Sequence, residues 1–253
     1  MKKIFLLLSA TVFLISCSKT KYNVSGSAKG IENGKTIIME TQDAAGMGLI
    51  AVDTVKVENG KFEITGKATE PSLHWLQVEG VNGKFIFILE NGDLKIEIDK
   101  DSIFKSKVSG TYNNEELVKF NEELLQIQKA LMSFQKQNTP AMSQAQQTND
   151  TVTINRLMKE FSKLQESVNK TTREKYKSYA ETHPKSFISV LMVQGLINDP
   201  TIDIKEIEKL YTSLDESLKT TKPGKVIDLK IKEKKTPSVG ATPIAPAPAA
   251  DSK

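Results

Sequence analysis

The chain has 253 residues, 38% of them hydrophobic and 26% charged, with 35 Lys and Arg against 31 Asp and Glu. That balance fits an ordered globular protein of one or two domains and excludes a disordered chain or one built of membrane spans. A formal charge of +4, about +2 once Lys2 and Lys3 are set aside with a leader, is too small for a footprint on nucleic acid. One cysteine and two histidines, His74 and His183, leave no disulfide, no CxxC pair and no zinc site of the usual type.

The chain opens with a positive start, Met1-Lys2-Lys3, and an apolar run from Ile4 to Ile15. That run has the length of a signal-peptide core and falls well short of the ~20 residues that span a bilayer. It ends in Leu14-Ile15-Ser16-Cys17, which resembles the lipobox of bacterial lipoproteins. The resemblance implies a signal peptide over 1–16, cleavage between Ser16 and Cys17, diacylglyceryl transfer to the Cys17 sulfur, and a short lipidated tether over 17–21. Several acyl chains on one residue anchor a protein far more firmly than a single myristoyl group. Ser18-Lys19-Thr20-Lys21 carries no acidic cluster, so the expected location is the periplasmic face of the outer membrane.

Residues 22–110 read as an antiparallel β-sandwich of about eight strands, near 22–28, 35–40, 50–57, 61–68, 73–79, 84–90, 94–99 and 103–109. Asn33-Gly34, Asn59-Gly60, Asn82-Gly83 and Asn91-Gly92 supply hairpin turns with positive φ at both central positions. Alternation puts Phe62 and Ile64, and Leu94, Ile96 and Ile98, on inner faces. Phe85 to Leu89 is apolar on both faces, which predicts a strand covered on both sides or one lining a ligand groove. Trp75 is expected in the core. Gly46-Met47-Gly48-Leu49-Ile50-Ala51 matches a dinucleotide fingerprint on paper, but it precedes a strand instead of a helix and is read as loop.

From residue 111 the apolar period changes to 3.6, giving an expected helical region over 111–235. Leu117, Phe120, Leu124, Ile127, Leu131 and Phe134 form one seam, with Asn113 or Asn114 as cap. Ile154, Leu157, Phe161, Leu164 and Val168 form a second, capped by Asp150 or Thr151. A polar segment over 135–149, broken by Pro140, predicts an antiparallel long-helix hairpin over 111–182 with a solvated turn in preference to a contact surface. Shorter helices follow over 185–235. One starts near Ser186, one opens at Asp203 and runs to a break at Pro223-Gly224, and a last amphipathic segment ends in a basic run, Lys230 to Lys235, read as a solvated end. Residues 236–253 are Pro- and Ala-rich and read as a disordered tail. The fold class expected is therefore α+β.

The lipobox, the Asn-Gly-rich strands, Pro184-Lys185-Ser186-Phe187-Ile188-Ser189, Gly224-Lys225 and Lys235-Thr236-Pro237-Ser238-Val239-Gly240 together resemble a known arrangement. It is the N-terminal domain of unknown function of bacterial envelope lipoproteins that usually precedes a thioredoxin-like domain of the thiol:disulfide interchange or peroxiredoxin-like type. In that family a Val-Gly pair leads into Ala-Pro-Asp-Phe and later a Trp-Cys-x-x-Cys; here Val239-Gly240 leads into the Pro/Ala-rich tail, so no catalytic residue carries over. The resemblance implies a non-catalytic, lipid-anchored binding or assembly module, attached to the membrane through Cys17, with a protein partner in the envelope, no cofactor and no metal. The alternatives are a cysteine-independent enzyme or ligand-binding protein using a groove of the sandwich, or a truncated relic. Glu79, Glu90, Asp93 and Asp99 are the carboxylates such an enzyme would have at hand. Asp150-Thr151-Val152 matches an O-glycosylation pattern of some periplasmic systems, with Thr151 as acceptor; Thr54 and Ser102 lie in similar triplets.

Overall fold

A computed structural model describes residues 20–43 and 47–235, so the leader, the Ser16–Cys17 cleavage site and the 236–253 tail lie outside the described residues. The chain divides into two compact units, one ending at Glu122 and one beginning at Glu123. The first is an α+β unit whose strands are β1 Tyr22–Ser27, β2 Thr36–Gln42, β3 Leu49–Lys56, β4 Lys61–Gly66, β5 Ser72–Val78, β6 Phe85–Leu89, β7 Gly92–Glu97 and β8 Lys107–Ser109. They form two four-stranded sheets, ordered β4-β1-β7-β8 and β3-β2-β5-β6. Val24, Phe62, Leu94 and Ile96 from one sheet and Ile37, Met39, Leu76 and Phe87 from the other share a single core. The expected alternation holds, because period-2 patterning puts one face of each strand in that core.

The sandwich departs from the expected antiparallel pattern at one place, since β1 runs parallel to β7 while pairing antiparallel with β4. The Asn-Gly turns also differ from expectation. Only Asn59-Gly60 has positive φ at both residues; at the other three only the glycine does. Asn82-Gly83 joins the β5–β6 hairpin, whereas Asn59-Gly60 and Asn91-Gly92 carry the chain from one sheet to the other. The β3–β4 and β6–β7 connections are thus corners of the sandwich. Ile103–Lys105, expected as strand, forms a 3-10 turn, because Asp99 Oδ1 accepts from both Asp101 and Ser102 N–H groups and curls the chain before β8.

At the β1–β4 pair, cross-strand register sets Gly26 opposite Phe62 and Tyr22 opposite Gly66. A Cβ at Gly26 would lie 1.8 Å from Phe62 Cε1, and one at Gly66 would lie 2.3 Å from the Tyr22 hydroxyl oxygen. Each aromatic ring therefore covers the bare backbone of its glycine partner.

Helix α1, Tyr112–Gln147, begins in this first unit. Asn113 and Asn114, expected as caps, lie inside its first turn and bond outward instead. Asn114 Oδ1 accepts from Ile88 N–H at 2.9 Å and its Nδ2 donates to Ile88 C=O at 2.7 Å, so one side-chain amide imitates a neighbouring strand on the free edge of β6. Asn113 Nδ2 donates to Glu90 Oε2 at 2.6 Å.

In the second unit α1 continues without interruption through Pro140, against the expected break. Proline removes one N–H from the ladder, at a cost of about 3 kcal/mol in a helix interior. The turn before it is reinforced by side chains, with Asn138 Nδ2 donating to Phe134 C=O and Thr139 Oγ1 to Gln135 C=O. Helix α2, Thr151–Thr182, is capped by Asp150, which accepts from Thr153 N–H at 3.1 Å. The antiparallel register of the pair shows in the Lys175–Glu123 ion pair at one end and the tilted Phe134–Phe161 rings, 6.4 Å apart, toward the other.

Four short helices close the unit: α3 Phe187–Leu196, α4 Ile204–Ser213, α5 Glu216–Lys219 and α6 Lys222–Lys235. The helix expected from Asp203 to Pro223 is two, since the chain turns at Leu214, where Asp215 N–H donates to Pro184 C=O. Pro223-Gly224 stands in the first turn of α6, where proline's missing N–H costs nothing and Gly224 packs against the Leu218 and Lys219 carbonyls. The basic end is exposed from Lys232 to Lys235, as expected of a solvated end, and its side chains also reach back to the unit: Lys234 Nζ donates to Ile197 C=O at 2.8 Å, Lys235 pairs with Glu208 and Lys230 bonds Asn198.

Candidate functional site

The strand Phe85–Leu89 offers no groove on its inner side, because Phe85, Phe87 and Leu89 belong to the sandwich core. On its outer side Ile88 is buried, its backbone held by Asn114, while Ile86 is 36% exposed. Trp75 is half-buried on the outer face of β5; the inward position falls to His74, which stands opposite Phe87 with ring centroids 6.0 Å apart. Leu76 and Val78 fix the inward parity of β5, so period-2 alternation turns the tryptophan ring outward.

Three of the four carboxylates hold local structure through bonds of their own. Glu79 accepts from Thr36 N–H at 3.0 Å and pairs with Lys35, and the Thr36 bond leads in holding its carboxyl below the usual range. Asp99 shapes the 3-10 turn, and Glu90 holds Asn113 through one oxygen while its other oxygen, Oε1, is buried without a partner among the described residues. Asp93 sits beside Asn23 in the β1–β7 pairing. Leu49 starts β3, so the Gly46–Ala51 look-alike leads into a strand and holds no phosphate at a helix N-terminus. No cluster of three metal-ligating side chains occurs among the described residues. Thr151 is exposed at the first position of α2 and Thr54 is exposed on β3, while Ser102 is half-buried.

Pro184 to Ser189 has a structural account. Ser186 caps α3 by accepting from Ile188 N–H, the Tyr179 hydroxyl lies 3.3 Å from the Ser186 hydroxyl, and Ser189 Oγ donates to His183 C=O at 2.6 Å. Both serines are fully buried, so this segment docks α3 onto the end of α2.

The feature sequence reading missed lies on the hairpin. Between α1 and α2 a groove of about 330 Å³ is floored by Phe134, Met142, Leu157, Met158 and Phe161. Its walls are amides and hydroxyls such as Gln135, Asn138 and Ser162, and no charged side chain lines it. The groove belongs to a longer stripe. On α1, Leu125, Gln128, Met132, Gln135, Thr139 and Gln146, with Met142 between the last two, recur at intervals of four and three. On α2, Asn155, Met158, Ser162, Gln165, Asn169 and Thr172 do the same. Each stripe stands one residue on from its seam, about 100° around the helix, and both are uncharged throughout. Leu125, Met132 and Met158 are more than half exposed there. The seam residues Leu124, Ile127, Leu131 and Phe134 are only half-buried, so two helices alone leave the seam partly open. The expected solvated turn holds for Thr148 to Asp150, all exposed, with the groove just below it.

A second cavity of about 230 Å³ lies where α2 meets α3, beside the Arg173–Asp199 ion pair at 3.1 Å. The Asp199 carboxyl is lowered to about 2, first by Thr201, whose hydroxyl and N–H both donate to it, and then by Arg173. The Tyr176 phenol is pushed up by burial.

The architecture is thus a β-sandwich followed by a helical unit whose long hairpin carries an uncharged groove. Residues 22–117 match the family model of a domain of unknown function, DUF4369. The match takes in all eight strands and the Asn113-Asn114 turn, and stops before the groove. No curated protein matches the chain. No helix among the described residues is long and apolar enough to cross a membrane.

Proposed function

We propose that this protein is a non-catalytic binding or assembly module of the bacterial cell envelope, anchored by lipid on Cys17 and facing the periplasm, and that it engages its partner through the groove on the α1–α2 hairpin. The observation that supports this reading is the groove itself: an apolar floor with polar, uncharged walls, on two long helices whose common seam is half-open. Concave surfaces of this make-up suit macromolecular or ligand docking, and exposed methionines adapt to a partner's shape. The likeness to lipoproteins that carry thioredoxin-like domains makes a periplasmic thiol oxidoreductase the first partner to try.

Two measurements test it. Labelling with a radioactive fatty acid should mark the wild-type protein and not the Cys17→Ala variant; an unlabelled wild type ends the anchoring half of the proposal. A photoreactive amino acid at Gln135 or Ser162 should give the same discrete adduct in intact envelopes, absent when the probe sits at Lys205 on α4 and lost on adding Met142→Glu. Equal adducts at all three positions, or none, would refute docking at the groove.

A further inference from the structure

We infer that Asn82 is a site of self-modification: in the folded protein its side-chain amide is lost through a cyclic imide, and the β5–β6 turn then carries aspartate or isoaspartate. This goes beyond the docking surface and does not depend on it.

The chemistry uses only water and base. The backbone nitrogen of the following residue gives up its proton and attacks the asparagine Cγ. A new N–Cγ bond closes a five-membered succinimide ring, the Cγ–Nδ2 bond breaks, and the leaving nitrogen departs with that proton as ammonia. Water then adds to one of the two ring carbonyls. Breaking the N–Cγ bond leaves aspartate; breaking the bond from nitrogen to the main-chain carbonyl carbon leaves isoaspartate, with the backbone running through Cβ and Cγ. Nothing is oxidised or reduced. Glycine hinders the attack least, because no Cβ stands beside its nitrogen.

Four pairs have that local sequence: Asn33-Gly34, Asn59-Gly60, Asn82-Gly83 and Asn91-Gly92. The fold separates them. Gly34 N–H, the first nucleophile, is already donated to Val57 C=O at 2.9 Å, and Asn33 Oδ1 accepts from Asn59 N–H at 2.8 Å. Gly92 N–H donates to Lys21 C=O at 3.0 Å, while Asn91 holds both the N–H and the C=O of Ala68 through its side-chain amide. Asn59-Gly60 is framed by Glu58 and Lys61, which exchange N–H to C=O bonds of 2.9 and 3.0 Å across the turn. Rotating Asn59 to bring Gly60 nitrogen onto its side chain would break that frame, and Gly60 C=O is fixed by Ala28 N–H at 2.8 Å.

Asn82 and Gly83 have none of these restraints. Both are exposed, and among the described residues neither the Asn82 side chain nor the Gly83 N–H makes a hydrogen bond. The glycine is nevertheless required: its φ is +92°, and a Cβ would lie 2.9 Å from Cγ2 of the fully buried Ile103. The packing that demands glycine at this place thus leaves a reactive pair in the loop. The product adds a carboxylate between Glu79 and Lys84, and isoaspartate also lengthens the turn by one backbone carbon.

The test holds the detergent-solubilised full-length protein at mildly alkaline pH in water enriched in oxygen-18, folded or in concentrated urea, and follows the four pairs by peptide mass spectrometry. In the folded protein Asn82 should convert about tenfold or more faster than Asn33 and Asn91, whose closure must first break hydrogen bonds. It should take up heavy oxygen and give both aspartate and isoaspartate, at a rate that rises with pH. In urea the four pairs should convert at similar rates. Asn82→Ser should keep the wild-type melting curve and lose the acidic form that isoelectric focusing resolves in the aged wild type. Equal conversion of the four pairs in the folded protein, Asn33 or Asn91 reacting before Asn82, an Asn82 advantage that persists in urea, or an acidic form undiminished in Asn82→Ser would each overturn the inference.

Discussion

Replacing Gly26 by Ala tests whether β1 and β4 are locked by aromatic rings seated on glycine backbone. The new Cβ would stand 1.8, 1.9 and 2.4 Å from three ring atoms of Phe62, where carbon atoms in contact prefer about 3.5–4.0 Å. The ring must therefore move by more than about 1.5 Å, and Phe62 is 6% exposed within a filled core. Overpacking of this kind costs about 1–3 kcal/mol. Gly26 is not in the left-handed region, so alanine fits the backbone and its smaller unfolded-state entropy returns roughly 0.4–1 kcal/mol. A net loss of about 1–2 kcal/mol remains, or roughly 4–16 °C in Tm for a domain of this size. Urea and thermal unfolding of Gly26→Ala, Phe62→Val and the double variant measure it. Phe62→Val removes the clashing ring atoms and leaves a cavity; added to it, Gly26→Ala should cost nothing or stabilise. A Gly26→Ala protein as stable as wild type, or losses that simply add in the double variant, would refute the reasoning.

Asn114→Ala should destabilise the first unit by about 2–4 kcal/mol, since it leaves the buried Ile88 N–H and C=O without partners, and should speed amide exchange at Ile88 well beyond that of the other β6 residues. Asp199, held at about 2 against an ordinary 3.8, binds fewer protons folded than unfolded in that interval. Its contribution to stability is complete above about pH 4 and is lost as pH falls through 2. Carboxyl NMR titration should show its pKa rising in Thr201→Val by more than in Arg173→Gln, following the order of the two causes. Native protein should carry added hexose, absent in Thr151→Ala; an unmodified intact mass in the native host would exclude this site.

The strands were legible because alternation is a local property. Phe62 and Ile64, and Leu94, Ile96 and Ile98, all face the core as their spacing requires. The pairing was less so. An Asn-Gly pair states that the chain turns tightly, yet Asn59-Gly60 and Asn91-Gly92 turn between sheets while Asn82-Gly83 turns within one. The parallel β1–β7 contact joins residues about seventy apart and leaves no local mark. Pro140 misled for the opposite reason: its local preference is strong, but the helix on both sides and the Asn138 and Thr139 bonds to preceding carbonyls outweigh it. Of the candidate site, both seams were visible. The neighbouring stripe was in the sequence too, as charge-free positions at intervals of four and three, but polar glutamines between methionines conceal it from a search for apolar period. Only the antiparallel pairing of α1 with α2 brings Gln135 and Met142 to the same groove as Met158 and Ser162.

The amide of Asn114 has a consequence for any attempt to isolate the sandwich. A fragment ended at Gly110, where the strand pattern stops, would lose the group that occupies the Ile88 position on β6 and would present that strand as an open template. Such edges recruit strands from other molecules. A fragment carried on to Glu122 keeps its own stopper. The opening turns of the helix are thus the selvedge of the sheet, the finished margin that keeps the fabric from being extended by a neighbour.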